Sequence, residues 1–264
     1  MACHNRAQTT NIFFESLKAS KTDRFNFQFY VTDDGSTDDT YNILKSQPFR
    51  TKILKGDGSL FWAKSMAKAE ESIDCLPDGI LWVNDDLKLL PNSFENLYKS
   101  IQLHPRAVLV GQVLQRKTNK IIYGGYRSSS AHPLKISLLE RTQTENPDTF
   151  NGNFVYIPTE VRLAVGPINS RYSHAYADCD YGYRVRKIGY EIKLIPDAIG
   201  EGETNKSPEF VTKREALKFF YNKKNNRLSD QIYFLLKFTK LKYKIFIPIF
   251  LLSPFLKIVI LNKY

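Results

Sequence analysis

Two short acidic clusters sit directly behind apolar, strand-like runs. One is Val31-Thr32-Asp33-Asp34-Gly35-Ser36-Thr37-Asp38, and the other is Asn84-Asp85-Asp86 after Ile80-Leu81-Trp82-Val83. Carboxylates at the C-terminal ends of buried parallel strands lie where open α/β sheets place their ligands. The two ends are about fifty residues apart, a separation that suits neighbouring strands converging on one polar site. An acidic pair on a rigid strand end offers the hard oxygen ligands that Mg²⁺ or Mn²⁺ takes up beside a diphosphate. Asp33 and Asp34 can accept N–H or hydroxyl donors from a base or a ribose. The plainer alternative is capping of the next helix, and that is the role expected of Asp38. A third cluster, Asp178-Cys179-Asp180, could supply a general base, or could simply cap the helix that follows it. Together the clusters point to an enzyme that handles a nucleotide diphosphate through a divalent metal.

The elements that must hold these groups follow from periodicity. Residues 26–31 alternate and read as a strand, 79–83 is a fully apolar strand, and 107–114 and 153–157 are further strands. Helices are expected over 12–18, 40–46, about 61–72, 93–103, 159–165 and 178–188, with Gly166 and Gly189 as their stops. Met1–His4 resembles the end of a strand, 52–55 and 120–123 suggest short strands, and 190–195 is a strand stopped by Pro196. Residues 127–148 are polar and irregular, a loop or hairpin insertion. Strand–helix alternation to about residue 110 argues for an α/β fold on a mainly parallel sheet.

The chain has 264 residues and a net charge of +11, but the charge is uneven. Residues 206–264 hold 13 Lys/Arg against three acids, while 1–205 hold 25 against 24. The body is therefore not a polybasic nucleic-acid binder, and the basic tail favours an anionic membrane surface or an acidic partner. The tail also carries the apolar run 245–261, 17 residues broken by Pro248, Pro254 and Lys257. A spanning helix needs roughly 20 apolar residues. An interfacial or re-entrant anchor is favoured over a helix pair packed on the core, and both over a true span. The three cysteines, Cys3, Cys75 and Cys179, form neither a metal spacing nor an even disulfide set. With no apolar leader at the N-terminus, the expectation is a cytoplasmic protein, peripheral at the inner face of the cell membrane.

In their order, His4-Asn5-Arg6, the segment 31–38, Asn84-Asp85-Asp86, and Ala177-Asp178-Cys179-Asp180 with Arg184 resemble the pattern of glycosyltransferase family 2. Gly58-Ser59-Leu60-Phe61-Trp62-Ala63 falls where relatives carry a donor-facing segment. Gly152-Asn153-Phe154 matches the stretch before the family's catalytic loop. The resemblance covers about residues 1–200. It implies a GT-A (Rossmann-like) catalytic domain over 1–205, a mainly parallel mixed sheet flanked by helices, followed by a basic, apolar helical extension over 206–264. It further implies an inverting transfer of a sugar from a nucleotide-sugar donor to a glycan or lipid-linked acceptor, as in cell-surface polysaccharide synthesis.

Carried over position by position, His4, Asn5, Arg6, Asp33 and Asp34 would line the nucleoside pocket, with either Asp meeting the base, and Trp62 would face the donor. Asp86 would hold the metal (Mn²⁺ or Mg²⁺) and Asp85 the sugar or ribose. Asp178 would be the general base, with Asn153 and Asp180 supporting the acceptor loop. The chain departs from the family in two places. The first strand usually begins several residues before the motif, and no histidine follows the last core strand. At that second position Glu201 or Glu203 is the available oxygen donor. Rival readings are weaker. A nucleotidyltransferase would need a Gly-rich phosphate loop with Arg or Lys after the first strand, and Cys3-His4-Asn5-Arg6-Ala7 is not one. A phosphoryl-transfer receiver or phosphatase would need a matching lysine. A catalytically impaired, membrane-linked scaffold is the main non-enzyme alternative.

Overall fold

The computed structural model describes residues 1–20, 23–129, 132–139, 146–172, 174–204, 214–215 and 228–252. Three parallel strands form the first sheet, in the order β1 (Ala2–Cys3), β2 (Gln28–Asp33), β3 (Arg50–Lys55). The second sheet has six strands. Its path runs β4 (Gly79–Val83), β11 (Phe154–Pro158), β6 (Val108–Gln115), β12 (Ile192–Gly202), β5 (Lys88–Leu89), with β7 (Ile121–Tyr123) added on β6. Here β11 is antiparallel to both neighbours, and β6–β12 is the parallel pair. The polar insertion builds a small antiparallel sheet, β10 (Thr149–Phe150), β8 (Gly125–Ser128), β9 (Ile136–Leu138).

Helices cover both faces and define two cores. α1 (Ala7–Ser20) buries Thr10, Phe13, Phe14 and Leu17, the helical i, i+3, i+4, i+7 set. With α2 (Thr40–Lys45) and α4 (Ser93–Leu103) it closes an aromatic core of Phe14, Phe29, Phe94 and Phe154. The other core lies under α3 (Phe61–Glu71), α5 (Thr159–Val165) and α6 (Ala177–Lys187), around Trp82, Val110, Phe150 and Tyr181. The helix α7 (Leu228–Phe238), from the basic extension, joins this second core through Phe234, which is wholly buried. A 3-10 turn, Leu241–Phe246, and helical residues 247–252 follow.

Two departures from the sequence expectation have local causes. α1 starts five residues earlier than the apolar pattern because the carboxylate of Asp38 accepts from the amide of Ala7 at 3.0 Å, a cap supplied from 31 residues away. β12 runs past Pro196 because its pairing with β6 slips between Leu194 and Ala198, which leaves the proline at a bulge. Residues 253–261 of the apolar run lie outside the described residues, as do 206–213 and 216–227. No helix among the described residues is long and apolar enough to cross a membrane.

Between β2 and β4 no ladder runs. A cavity of about 660 Å³ lies there, bounded by Met1, Phe13, Phe29, Tyr30, Ile80 and Trp82. Its lining includes residues at the beginnings of both strands, Asn26–Gln28 and Pro77–Gly79, and none of the acids at their ends.

Candidate active site

The end of β1 is tied to the end of β2 by side chains. His4 Nδ1 meets the carbonyl of Asp34 at 2.6 Å. Asn5 Oδ1 accepts from the amide of Thr37 at 2.7 Å, and the Asn5 amide donates to Ser36 Oγ at 2.9 Å. Asn5 adopts φ 49, a left-handed conformation that asparagine tolerates better than most residues. Asp33 and Asp34 are both buried, and their roles differ. Asp33 Oδ1 accepts from the amide of Ser36 at 3.1 Å, while its other oxygen takes no protein hydrogen bond among those resolved. Asp34 spends both oxygens on the chain itself, accepting from the amides of Gly58 and Phe61 at 2.9 Å each. Asp34 therefore buttresses the 56–61 turn. Gly35, at φ 71, lets that turn approach, because a Cβ there would meet the amide nitrogen of Gly58 at 2.8 Å.

At the end of β4 the two acids separate by environment. Asp85 is 2 % exposed and Asp86 43 %. Arg6 Nη1 donates to both, at 3.0 Å to Asp85 Oδ1 and 2.7 Å to Asp86 Oδ2, and Thr10 Oγ1 donates to Asp85 Oδ2 at 3.2 Å. Burial pushes the Asp85 carboxyl up to about 6, against the opposing pull of Arg6. Asp86 is the outward oxygen donor.

A chain of hydrogen bonds leads from here to the third cluster. Trp62 Nε1 donates to Asn84 Oδ1 at 2.8 Å, and Asn84 Nδ2 donates to Asn153 Oδ1. The amide of Asn84 also donates to the carbonyl of Asn153 at 3.1 Å. Gly152, whose missing Cβ leaves room for the Trp62 ring, donates its amide to Asp178 Oδ2 at 3.1 Å. The amide of Cys179 donates to Asp178 Oδ1 at 2.8 Å. Burial raises the Asp178 carboxyl above its ordinary value, and those two amides oppose the shift. A carboxylate whose basicity is raised by burial suits a proton acceptor. Tyr176, the residue before α6, sits at φ 74 and Phe61 at φ 55. Strained, non-glycine backbones thus occur both at the Asp34-bound turn and at the start of α6.

Asp180 is wholly buried and accepts from Tyr172 Oη at 3.1 Å, Arg184 Nε at 2.7 Å and Lys237 Nζ at 2.6 Å. The structure thus joins His4, Asn5, Arg6, Asp33, Asp34, Asp85 and Asp86 at one end of the strands, and Trp62, Asn153 and Asp178 through Asn84. Asp180 faces inward, onto Tyr172, Arg184 and Lys237. Glu201 lies on β12 and faces Lys88 at 4.0 Å. Sequence reasoning quoted Asn84 only as part of a motif, although its place directly before the acids was the available signal. Lys237 carried no signal among the tail's basic residues.

Among the described residues no group of three His, Cys, Asp or Glu side chains could hold a metal by itself. A divalent ion shared between one carboxylate and a diphosphate needs less than that. Asp86 supplies an outward oxygen donor at a rigid strand end, so the residues fit that kind of ion.

The fold is GT-A. The structure is similar to TarS of S. aureus, with TM-score 0.60, 16 % identity, and 88 % of this chain and 41 % of that chain covered. It is similar to GalNAc-T7, solved with UDP, GalNAc and Mn²⁺, with TM-score 0.61, 15 % identity, and 83 % and 49 % covered. It is also similar to the mannosyltransferase PcManGT of Pyrobaculum calidifontis, solved with GDP-Man and Mn²⁺, with TM-score 0.56, 13 % identity, and 82 % and 58 % covered. The chain thus spans less than two thirds of the length of each of these three. No curated protein matches in sequence. The model of the family described as glycosyl transferase family 2 matches residues 1–162, well over half of the chain, and the protein belongs to that family.

Proposed function

We propose that the protein is an inverting glycosyltransferase, moving a hexosyl-type sugar from a nucleotide-diphosphate sugar to a hydroxyl of a glycan or lipid-linked acceptor in surface-polysaccharide synthesis. The observation that carries the reading is the continuous path Trp62–Asn84–Asn153, with Gly152 bonded to Asp178. It connects the acidic strand end, suited to a diphosphate, with a half-buried carboxylate suited to a base.

In this reading the nucleoside lies against His4, Asn5 and Arg6, and the second oxygen of Asp33 takes a base or ribose donor. Asp34 holds the 56–61 turn beneath the donor, and Asp85, buried with its oxygens on Arg6 and Thr10, supports the sugar or ribose side by fixing Arg6. Asp178 takes the acceptor hydroxyl proton as that oxygen attacks the anomeric carbon from the face opposite the leaving diphosphate. A divalent ion (Mn²⁺ or Mg²⁺), held by Asp86 and the donor's phosphates, would offset the leaving-group charge. Asn153 and Asp180 hold the acceptor-side loop.

The extension is assigned to an anionic membrane surface, at the cytoplasmic inner face. Support comes from Ile245, Ile249 and Leu252, which stand 78, 57 and 50 % exposed, with Leu241 at 84 %. Lys240, Lys242 and Lys244 flank them. An exposed apolar face bordered by cations suits interfacial binding.

The test is nucleoside diphosphate release across a panel of UDP- and GDP-sugars with Mn²⁺, with and without glycan acceptors, comparing the native chain with Asp178→Asn. Release that is acceptor-stimulated and lost in the variant is expected. A folded protein that binds donors but turns over none of them would make it a binding module instead.

A further inference from the structure

The base candidate sits on a short lever. Asp178 is the second residue of α6, and the residue before the helix, Tyr176, holds a left-handed backbone. Such a turn keeps its shape only when its surroundings over-determine it. Asp180, two residues on, supplies the fixing point, and its three partners come from three places. Arg184 is on the same helix and also donates to the carbonyls of Val165 and Pro167, at 2.8 and 2.9 Å. Tyr172 belongs to the preceding loop. Lys237 comes from α7, 57 residues away, and donates to Asp180 at 2.6 Å.

The rest of α7 grips the same turn. Gln231 Nε2 donates to Tyr176 Oη at 3.0 Å, and the buried Phe234 packs on the rings of Tyr172, Tyr176 and Tyr183, at 6.4, 5.6 and 5.7 Å. Arg184 alone would tie Asp180 to its own helix and the loop beside it. Among the described residues, Lys237 alone carries that wholly buried carboxylate across to the extension, through a charge-assisted bond at the short end of the N–H···O range.

We propose that Lys237 is a positioning residue. Through Asp180 it clamps the first turn of α6 to the C-terminal extension and so holds Asp178 at its working place. The extension is then a part of the catalytic body as well as an attachment. This inference rests on Asp178 being the base, and the experiment separates the two ideas.

The native chain contains its own reporters, since Cys179 lies in the clamped turn, Cys3 is buried in the sheet and Cys75 is exposed. Lys237→Met, Lys237→Gln and Lys237→Arg are compared by iodoacetamide labelling of each cysteine, read by mass spectrometry. The same proteins are compared for kcat and donor KM with UDP-GlcNAc and GDP-mannose as probes. Loss of the clamp should raise Cys179 labelling about tenfold or more while Cys3 stays protected, the mark of local opening. It should lower kcat about 10- to 100-fold with donor KM little changed, as a misplaced base would, and Lys237→Arg should restore both.

If Lys237→Met does not fold, Lys237→Gln, which keeps an N–H for Asp180 without the charge, gives the same comparison. Unchanged Cys179 labelling, or Cys3 and Cys179 opening together, would overturn the clamp. If Asp178→Asn keeps its turnover, the base assignment fails, whereas the labelling result still judges the clamp.

Discussion

Arg6 reaches Asp85 across 79 residues of sequence and donates to it at 3.0 Å, while the same nitrogen donates to Asp86 at 2.7 Å. One guanidinium thus holds the end of β1 against the end of β4, where no backbone ladder does so.

Removing that cation leaves Asp85 buried with the neutral side chains of Thr10 and Cys3 as partners. Arg6→Met should cost about 1–3 kcal/mol of stability, the penalty of a poorly satisfied buried group, reduced because Arg6 itself is half-exposed. Urea titration measures this. An unchanged midpoint would show that Asp85 does not depend on Arg6.

Asp34→Ala should cost about 2–4 kcal/mol, because two amides lose a charged acceptor. It should also weaken donor binding by loosening the 56–61 turn. Asp33→Ala should weaken donor binding with a smaller loss of stability. The pair of variants, compared by thermal unfolding and by calorimetric titration with UDP and GDP, tests whether the two adjacent acids divide the work as their hydrogen bonds indicate.

Asp86→Ala should abolish turnover while changing stability by no more than about 0.5 kcal/mol, as expected at an exposed position. Chelation of divalent ions should have the same effect on the native protein and be reversed by Mn²⁺. Full turnover in chelator, together with an active Asp86→Ala, would remove the metal from the reaction.

Asp178→Asn keeps the shape and one of the two amide hydrogen bonds, since its Nδ2 cannot accept, and it cannot take a proton, so kcat should fall ~10² to 10⁴-fold with donor affinity intact. Burial raises this carboxyl above 3.8, so the acidic limb of the native kcat profile should lie above the ordinary aspartate range, activity rising with pH as the base deprotonates. Stability moves the other way. The protonated form is favoured in the fold, so this group's contribution is full below 3.8 and is lost as pH rises through the raised value. Asp178→Asn should remove that slope from a stability–pH curve. A native kcat flat into strong acid would place the base elsewhere.

What could be read in the sequence was the set of local relations. The strand ends at Asp33 and Asp86 showed because an apolar run meets an acidic pair within two residues, and α5 and α6 showed through their stops at Gly166 and Gly189. Relations made at a distance did not show. Asp34 looked like a ligand-binding acid because its partners, the amides of Gly58 and Phe61, lie 24 and 27 residues downstream. β12 was cut at Pro196 because a bulge, which depends on the register with β6, cannot be seen in one strand alone. Lys237 was indistinguishable from solvent-facing lysines because only the packing of Phe234 turns its helix toward Asp180.

The open seam between β2 and β4 has a consequence for the molecule's breathing. In β2 the carbonyl of Tyr30 and the amide of Thr32 meet Met1 at 3.0 Å each, so the amides of Gln28 and Tyr30 face the same side, further along, where no strand of the described residues answers them. β6, flanked by β11 and β12, has ladders on both sides. Deuterium should therefore enter the floor of the molecule first at Gln28 and Tyr30 and last at Val108–Val110. The β1–β2–β3 sheet and the sheet that contains β4 and β6 would then behave as two plates with separate clocks, synchronised by ion pairs at their acidic rim.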